Sequence, residues 1–232
     1  MPVLSAADVV QAKTGQQLAA TTAVVALDDP TQEANTVTLE IHGLGITLSD
    51  PQLCSVPAGW SLDANPLDPN GLHLLYMFRK QVTGGEQSWN FGFIATATWV
   101  WRVTEWDTGL EPVSPLEAVT AAAATGTGVT ALSTGTTHTT SRAGLACLAW
   151  HHWQRPTNTA QSMTFSGHTG GFVIRDELRN TSGNIDYADC WSWAFSEDAG
   201  SFETTATVNL AAQAANDIYM AQMVVYAATT YA

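Results

Sequence analysis

The feature that most constrains this chain is strand-type alternation, cut at short intervals by turn residues. Thr36-Val37-Thr38-Leu39-Glu40-Ile41-His42 puts Val37, Leu39 and Ile41 on one face and Thr36, Thr38, Glu40 and His42 on the other. That period of two suits a strand with one buried face and cannot serve a helix, whose repeat is 3.6. Similar segments cover residues 72–80, 88–94, 98–106, 145–153, 161–165, 171–178, 188–195, 203–210 and 218–227. Between them lie Asp68-Pro69-Asn70-Gly71, Gly84-Gly85, Asp107-Thr108-Gly109, Gly170-Gly171, Ser182-Gly183-Asn184 and Ala199-Gly200. Many short strands rich in Thr, Val, Trp and Tyr predict an all-β, antiparallel β-sandwich with jelly-roll-like connectivity. Helix is expected in only two places, a short piece within 118–124 and a single turn within 211–215, less than about 10% of the chain.

The strands fall into two similar sets. In each, an apolar strand leads to a glycine turn, a polar and aromatic strand, and an apolar closing strand. The closing strands begin at Thr98 and Ile218, 120 positions apart. The expected organisation is an N-terminal docking arm over residues 1–22, polar and free of aromatics, followed by a single β-sandwich domain over 23–232. Its halves span about 23–117 and 142–232 and are joined by a Thr/Ala/Gly-rich connector.

Charge excludes several functions. Lys and Arg together number 8 against 21 acidic residues, a net charge of −13, and no basic cluster is present. Nucleic acid is therefore not an expected partner. No apolar run approaches the roughly 20 residues a bilayer requires, so membrane insertion is not expected. Charged residues make up 12% of the chain, about half the usual share. Such a surface suits a subunit packed in an assembly, or a protein that works outside the cell. Residues 1–20 contain Asp8, Lys13 and several Gln with no apolar stretch, which is not the pattern of a secretory signal. Cys54, Cys147 and Cys190 are widely spaced and odd in number, so they read as semi-buried free thiols.

No motif commits the chain to catalysis. Glu105-Trp106-Asp107, with Glu111 beyond, superficially resembles the paired carboxylates of jelly-roll glycoside hydrolases, but Thr108-Gly109 interrupts the strand before the last glutamate. Asp63, Asn65, Asp68 and Asn70 form an oxygen-rich run, which Pro66, Pro69 and Gly71 make a rigid turn rather than a calcium loop. His151 and His152 are adjacent, so on a strand they face opposite ways and cannot chelate together. No metal site, cofactor or catalytic residue is expected. The nine tryptophans leave one binding option. Most should fill the core, but Trp60 and Trp106 lie near turns and are expected to be partly exposed, where they could stack on a glycan. A carbohydrate-binding, lectin-like module is therefore the alternative function, with a glycoside hydrolase behind it.

The order of features resembles a family of β-sandwich virion proteins of tailed bacteriophages, especially those infecting actinobacteria. The matching residues are Pro57-Ala58-Gly59-Trp60, Tyr76-Met77-Phe78-Arg79, Gly84-Gly85, the run from Trp99 to Gly109, Pro115-Leu116-Glu117 and, closing a second round, Met223-Val224-Val225-Tyr226. The resemblance covers about residues 24–227 and departs from the pattern at 182–189 and at His151-His152-Trp153. It implies a structural role, as a minor tail protein or capsid decoration protein on the virion surface after assembly in the host cytoplasm. It brings other virion proteins as partners and supplies no catalytic residues; the sparse charge adds self-association as an expectation, and a glycan that stacks on Trp60 or Trp106 would be one on the host surface.

Overall fold

The longest strand shows how the chain builds its layers. The computed structural model describes residues 4–44, 53–64, 74–107, 110, 116–155, 161, 163–180 and 186–228. In it, β6 (Ser88–Trp106) pairs antiparallel with β1 (Val9–Ala26) from Val9 opposite Trp106 to Ala26 opposite Ser88. Register breaks between Gln17 and Thr22 split this ladder in two. Ala19 lies there with φ 46°, a left-handed conformation at the corner. Past the corner the ladder folds back over its own sheet. Phe93 stacks on Trp99 of the same strand with ring centroids 3.5 Å apart, and Phe91 meets Phe78 at 5.0 Å.

The N-terminal unit, residues 2–115, is completed by β2 (Glu33–Leu44), β3 (Leu53–Ser55), β4 (Ser61–Ala64) and β5 (Leu74–Thr83). The order in the main layer is β1-β6-β2-β5-β4, and β3 pairs with β6 beyond its corner. As the alternation predicts, Val37, Leu39 and Ile41 enter the core, with Tyr76, Phe78, Phe91, Trp99, Trp101 and Val103; Thr36, Thr38, Glu40 and His42, expected to face out, are buried as well.

The C-terminal unit, residues 116–228, repeats this plan with the corners cut. Its strands are β7 (Leu116–Thr125), β8 (Ala131–Ser133), β9 (Leu145–Arg155), β10 (Met163–Ser166), β11 (Val173–Asn180), β12 (Asp186–Ser196), β13 (Thr205–Leu210) and β14 (Ile218–Ala227). One sheet runs β11-β12-β9-β14-β7 and the other β10-β13-β8. Their facing side chains, among them Leu132, Trp153, Phe165, Cys190, Val208 and Tyr219, form the core of this sandwich. The interleaving β7-β14-β9-β12 over β8-β13-β10 is that of a jelly roll.

Each pairing in one unit has its counterpart in the other. The two halves of β1 on β6 correspond to β7 on β14 and β8 on β13. Likewise β2–β6, β2–β5, β4–β5 and β3–β6 correspond to β9–β14, β9–β12, β11–β12 and β10–β13. The chain is thus all-β, 68% strand and 2% helix, with the same strand topology in both units.

Several boundaries differ from those read in the sequence. The polar segment expected as an arm contributes β1 from Val9 onward. The segment expected as a connector opens the C-terminal unit: β7 lies on β14, and Thr134, Thr137 and Thr140 donate backbone hydrogen bonds to Thr204, Phe202 and Gly200. Residues 118–124 are strand, not helix. Alanine favours helix in isolation, but opposite Met223 and Val225 the ladder supplies each backbone group with a partner, and tertiary pairing overrides propensity.

Candidate functional site

All nine tryptophans are buried, none more than 8% exposed. Trp60 is held edge-on against Trp89 and Phe91 at 5.2 and 5.4 Å, where the turn after Pro57 folds its ring into the core. Trp106 is fully buried, and its Nε1 donates to Thr38 Oγ1 at 2.9 Å. The partial exposure expected of both is thus corrected: neither offers an open ring face on which a sugar could stack. Beside Trp60 the turn residues Ala58 and Gly59 are exposed while its ring joins the core, and beside Trp106 Asp107 is exposed while its ring is buried on the opposite face, with Thr36 and Thr38.

Of the carboxylates considered for catalysis, Glu105 is already occupied. Glu105 is buried, and its Oε1 accepts from Gln32 N at 2.7 Å and Asn35 Nδ2 at 2.8 Å, while Oε2 accepts from Gln11 Nε2 at 2.6 Å. It fastens the β1–β2 connection to β6. Asp107 lies beyond the strand end, and Glu111 lies outside the described residues. Asp63 accepts from Arg79 Nε with both oxygens, at 2.9 and 3.1 Å; Asn65, Asp68 and Asn70 also lie outside the described residues.

Two polar clusters sit on β9 and β12, on opposite faces as the adjacency of His151 and His152 requires. On one face, Asp189 Oδ1 accepts from Trp150 Nε1 at 2.8 Å and lies 2.8 Å from His152 Nδ1. Toward a carboxylate the imidazole N–H is the donor, so this contact sets the His152 proton on Nδ1. Trp191 stacks on Trp150 at 5.4 Å and closes the group.

On the other face, inside the C-terminal sandwich, His151 and Cys190 are direct cross-strand partners. The His168 ring, from the β10–β11 connection, stands edge-on to His151 at 4.8 Å, and its Nε2 is 3.9 Å from Cys190 Sγ. Neither ring nitrogen of His151 has a hydrogen-bond partner of ordinary geometry, nor does His168 Nδ1. Burial, with a smaller effect of His168, pushes His151 down to about 3; the Leu132 backbone offsets this only in part. Burial also lowers His168, and it pushes the Cys190 thiol up to about 12 with help from nearby carboxylates. Sequence reasoning missed this group because only the β9–β12 register and a loop bring its members together.

The remaining candidate surface is an edge. Among the described residues, β1 and β7 are the outermost strands of their sheets and occupy equivalent places in the two units. Strand β1 is 18 residues long with Lys13 its only charge, and Val10, Leu18 and Val24 on it are 39%, 55% and 47% exposed. Strand β7 carries Glu117 alone, and that carboxylate accepts from Arg142 Nε and Ser141 N. Comparison of the chain with protein-family models, with curated proteins and with solved structures finds no match.

Proposed function

We propose that this chain is a non-catalytic structural subunit of a tailed-bacteriophage virion, carried on the particle exterior as a minor tail protein or capsid decoration protein. It is held there by other virion proteins and by copies of itself. The observation that carries the reading is the β1 edge, long, nearly uncharged and studded with exposed Val10, Leu18 and Val24. An edge strand exposes unpaired N–H and C=O groups, and chains meant to stay single shield such edges with lysine, proline or a covering segment. Here a second chain can add a strand with main-chain hydrogen bonds and small apolar side chains. The net charge of −13 suits the outside of a particle better than a DNA-filled interior, where like charges repel. The order of motifs, which resembles that of phage β-sandwich proteins, is what favours a phage particle in this reading.

The carbohydrate-binding alternative has no exposed indole to rest on, and the hydrolase alternative has in Glu105 a carboxylate already committed to three donors. The assembly reading is tested by sedimentation of the purified chain over a range of concentrations and salt. Association that persists at high salt, and that Val10→Lys with Leu18→Lys abolishes without unfolding, is the expected result. A monomer at all concentrations, or association that the lysines leave intact, contradicts the use of this edge.

A further inference from the structure

We propose that His151, His168 and Cys190 form a three-ligand site for one closed-shell, thiophilic cation, Zn²⁺ or Cu⁺, inside the C-terminal sandwich. The first argument is the orphaned imidazole. His151 is fully buried beside Phe165, and neither ring nitrogen has a hydrogen-bond partner of ordinary geometry, the Leu132 backbone offering only a weak one. Leaving such a group unsatisfied costs on the order of 1–3 kcal/mol, and an apolar side chain of similar size would avoid that cost. A lone pair directed at a metal satisfies one of the two nitrogens and leaves the N–H to the Leu132 backbone.

The second argument is geometry. Cross-strand partners on one face of a sheet have Cβ atoms about 5 Å apart, which places His151 and Cys190 as neighbouring ligands. Zinc bonds of about 2.0–2.1 Å to nitrogen and about 2.3 Å to sulfur put tetrahedral N and S ligands ~3.5 Å apart. His168 Nε2 and Cys190 Sγ are already 3.9 Å apart. As they stand, the three donor atoms are not all within 4.8 Å of one another, so closing the site requires a side-chain rotation. His168 is the member able to make it. It is only partly buried, and because Thr169 beside it is hydrogen-bonded to Thr204 and Thr205, the adjustment is a rotation of its own side chain.

The ligand set selects the ion. One thiolate and two neutral imidazoles are soft to borderline donors, suited to Zn²⁺ or Cu⁺ and poorly suited to Mg²⁺ or Ca²⁺. Binding breaks the Cys190 S–H bond, forms the S–metal bond and releases one proton to solvent; no oxidation state changes. Around Cu⁺ the set is neutral, which fits three-coordination in an apolar interior. Around Zn²⁺ it keeps one positive charge and leaves a fourth position for water at the His168 side.

The test uses the full chain freed of metal by a chelator. Anaerobic Co²⁺ titration should give a thiolate-to-cobalt charge-transfer band that saturates at one equivalent and is displaced by Zn²⁺. Competition against a chromophoric chelator under reducing conditions measures Cu⁺ in the same way. Cys190→Ser should abolish the band, and His168→Ala should weaken binding ~10–100-fold. Cys147→Ser, which alters the other buried free thiol among the described residues, should leave both unchanged. Circular dichroism identifies variants that remain folded. No saturable binding of any of the three ions by folded wild type overturns the proposal, as does a band that survives Cys190→Ser or binding undiminished in folded His168→Ala.

Discussion

Trp101 lies across Gly15. The two residues are cross-strand partners on β6 and β1, and a Cβ on Gly15 would fall 2.2 Å from Trp101 Cζ2 and 2.6 Å from Cη2. The glycine's role here is to admit an indole, since its φ is not among the positive ones. Gly15→Ala must displace a ring that is 5% exposed and packed in the core. A loss of roughly 1–3 kcal/mol is expected in urea denaturation, as for other overpacked sites. In a Trp101→Ala background the same substitution should cost clearly less, because the clash is gone. An equal loss in both backgrounds contradicts the contact.

Arg155 and Asp217 make the other localised commitment. Arg155 Nε donates to Asp217 Oδ1 at 2.6 Å and Nη2 to Oδ2 at 2.8 Å, with both side chains at most 5% exposed. Asp217 Oδ2 also accepts from Ala214 N at 2.8 Å, so the pair ties β9 to the turn before β14. Asp217→Ala strands a buried guanidinium and should lower stability by about 3–5 kcal/mol. Replacing both partners with apolar residues should restore part of that loss. If the double variant is as unstable as the two single losses added together, the stranded charge is not the cause.

The pH profile should carry the mark of Glu40. Burial raises this carboxyl from 4.5 to about 7, against a smaller opposing pull from cross-strand Arg102. Between those values the folded chain retains a proton that the unfolded chain has released. This contribution to stability is therefore full below pH 4.5 and is lost as pH rises through about 7. Its full extent is roughly 3 kcal/mol. Urea midpoints compared between wild type and Glu40→Gln from pH 5 to 7.5 should show the wild type losing ground as pH rises. A difference that stays constant with pH removes Glu40 as the source.

Thiol chemistry offers an independent check of burial. Burial holds both Cys147 and Cys190 up at about 12, so neither presents a thiolate near neutral pH. In a Cys54→Ser background, a thiol reagent should find no reactive group in the native protein and both remaining thiols after denaturation. Rapid native labelling of either would show that the sandwich opens far more readily than its packing implies.

What the sequence made legible follows from how each strand is buried. Strand β2 could be read because its alternation marks the core face of Val37, Leu39 and Ile41, although its polar face is buried too, and β14 because it is apolar apart from Gln222. Strands β1 and β7 lacked that signal. At a sheet edge, Gln, Thr and Ala are tolerated on both faces, so the pattern blurs into what resembles an arm or a connector. The repeat was visible as a spacing between closing strands, but only the pairings establish the shared topology. Trp60 and Trp106 misled because proximity to a turn says where the backbone lies, not which way an indole points. His168 was not legible beside Cys190, since a loop conformation joins them.

The most direct test of the structural role is the copy number and position of this chain in purified phage particles, by quantitative mass spectrometry and antibody labelling. The expected result is tens to hundreds of copies per particle, on the head for a decoration protein or along the tail for a minor tail protein. Retention should survive a high-salt wash, since neutral surface carries the contact. A chain absent from particles, and monodisperse as a monomer in the lysate, would contradict it.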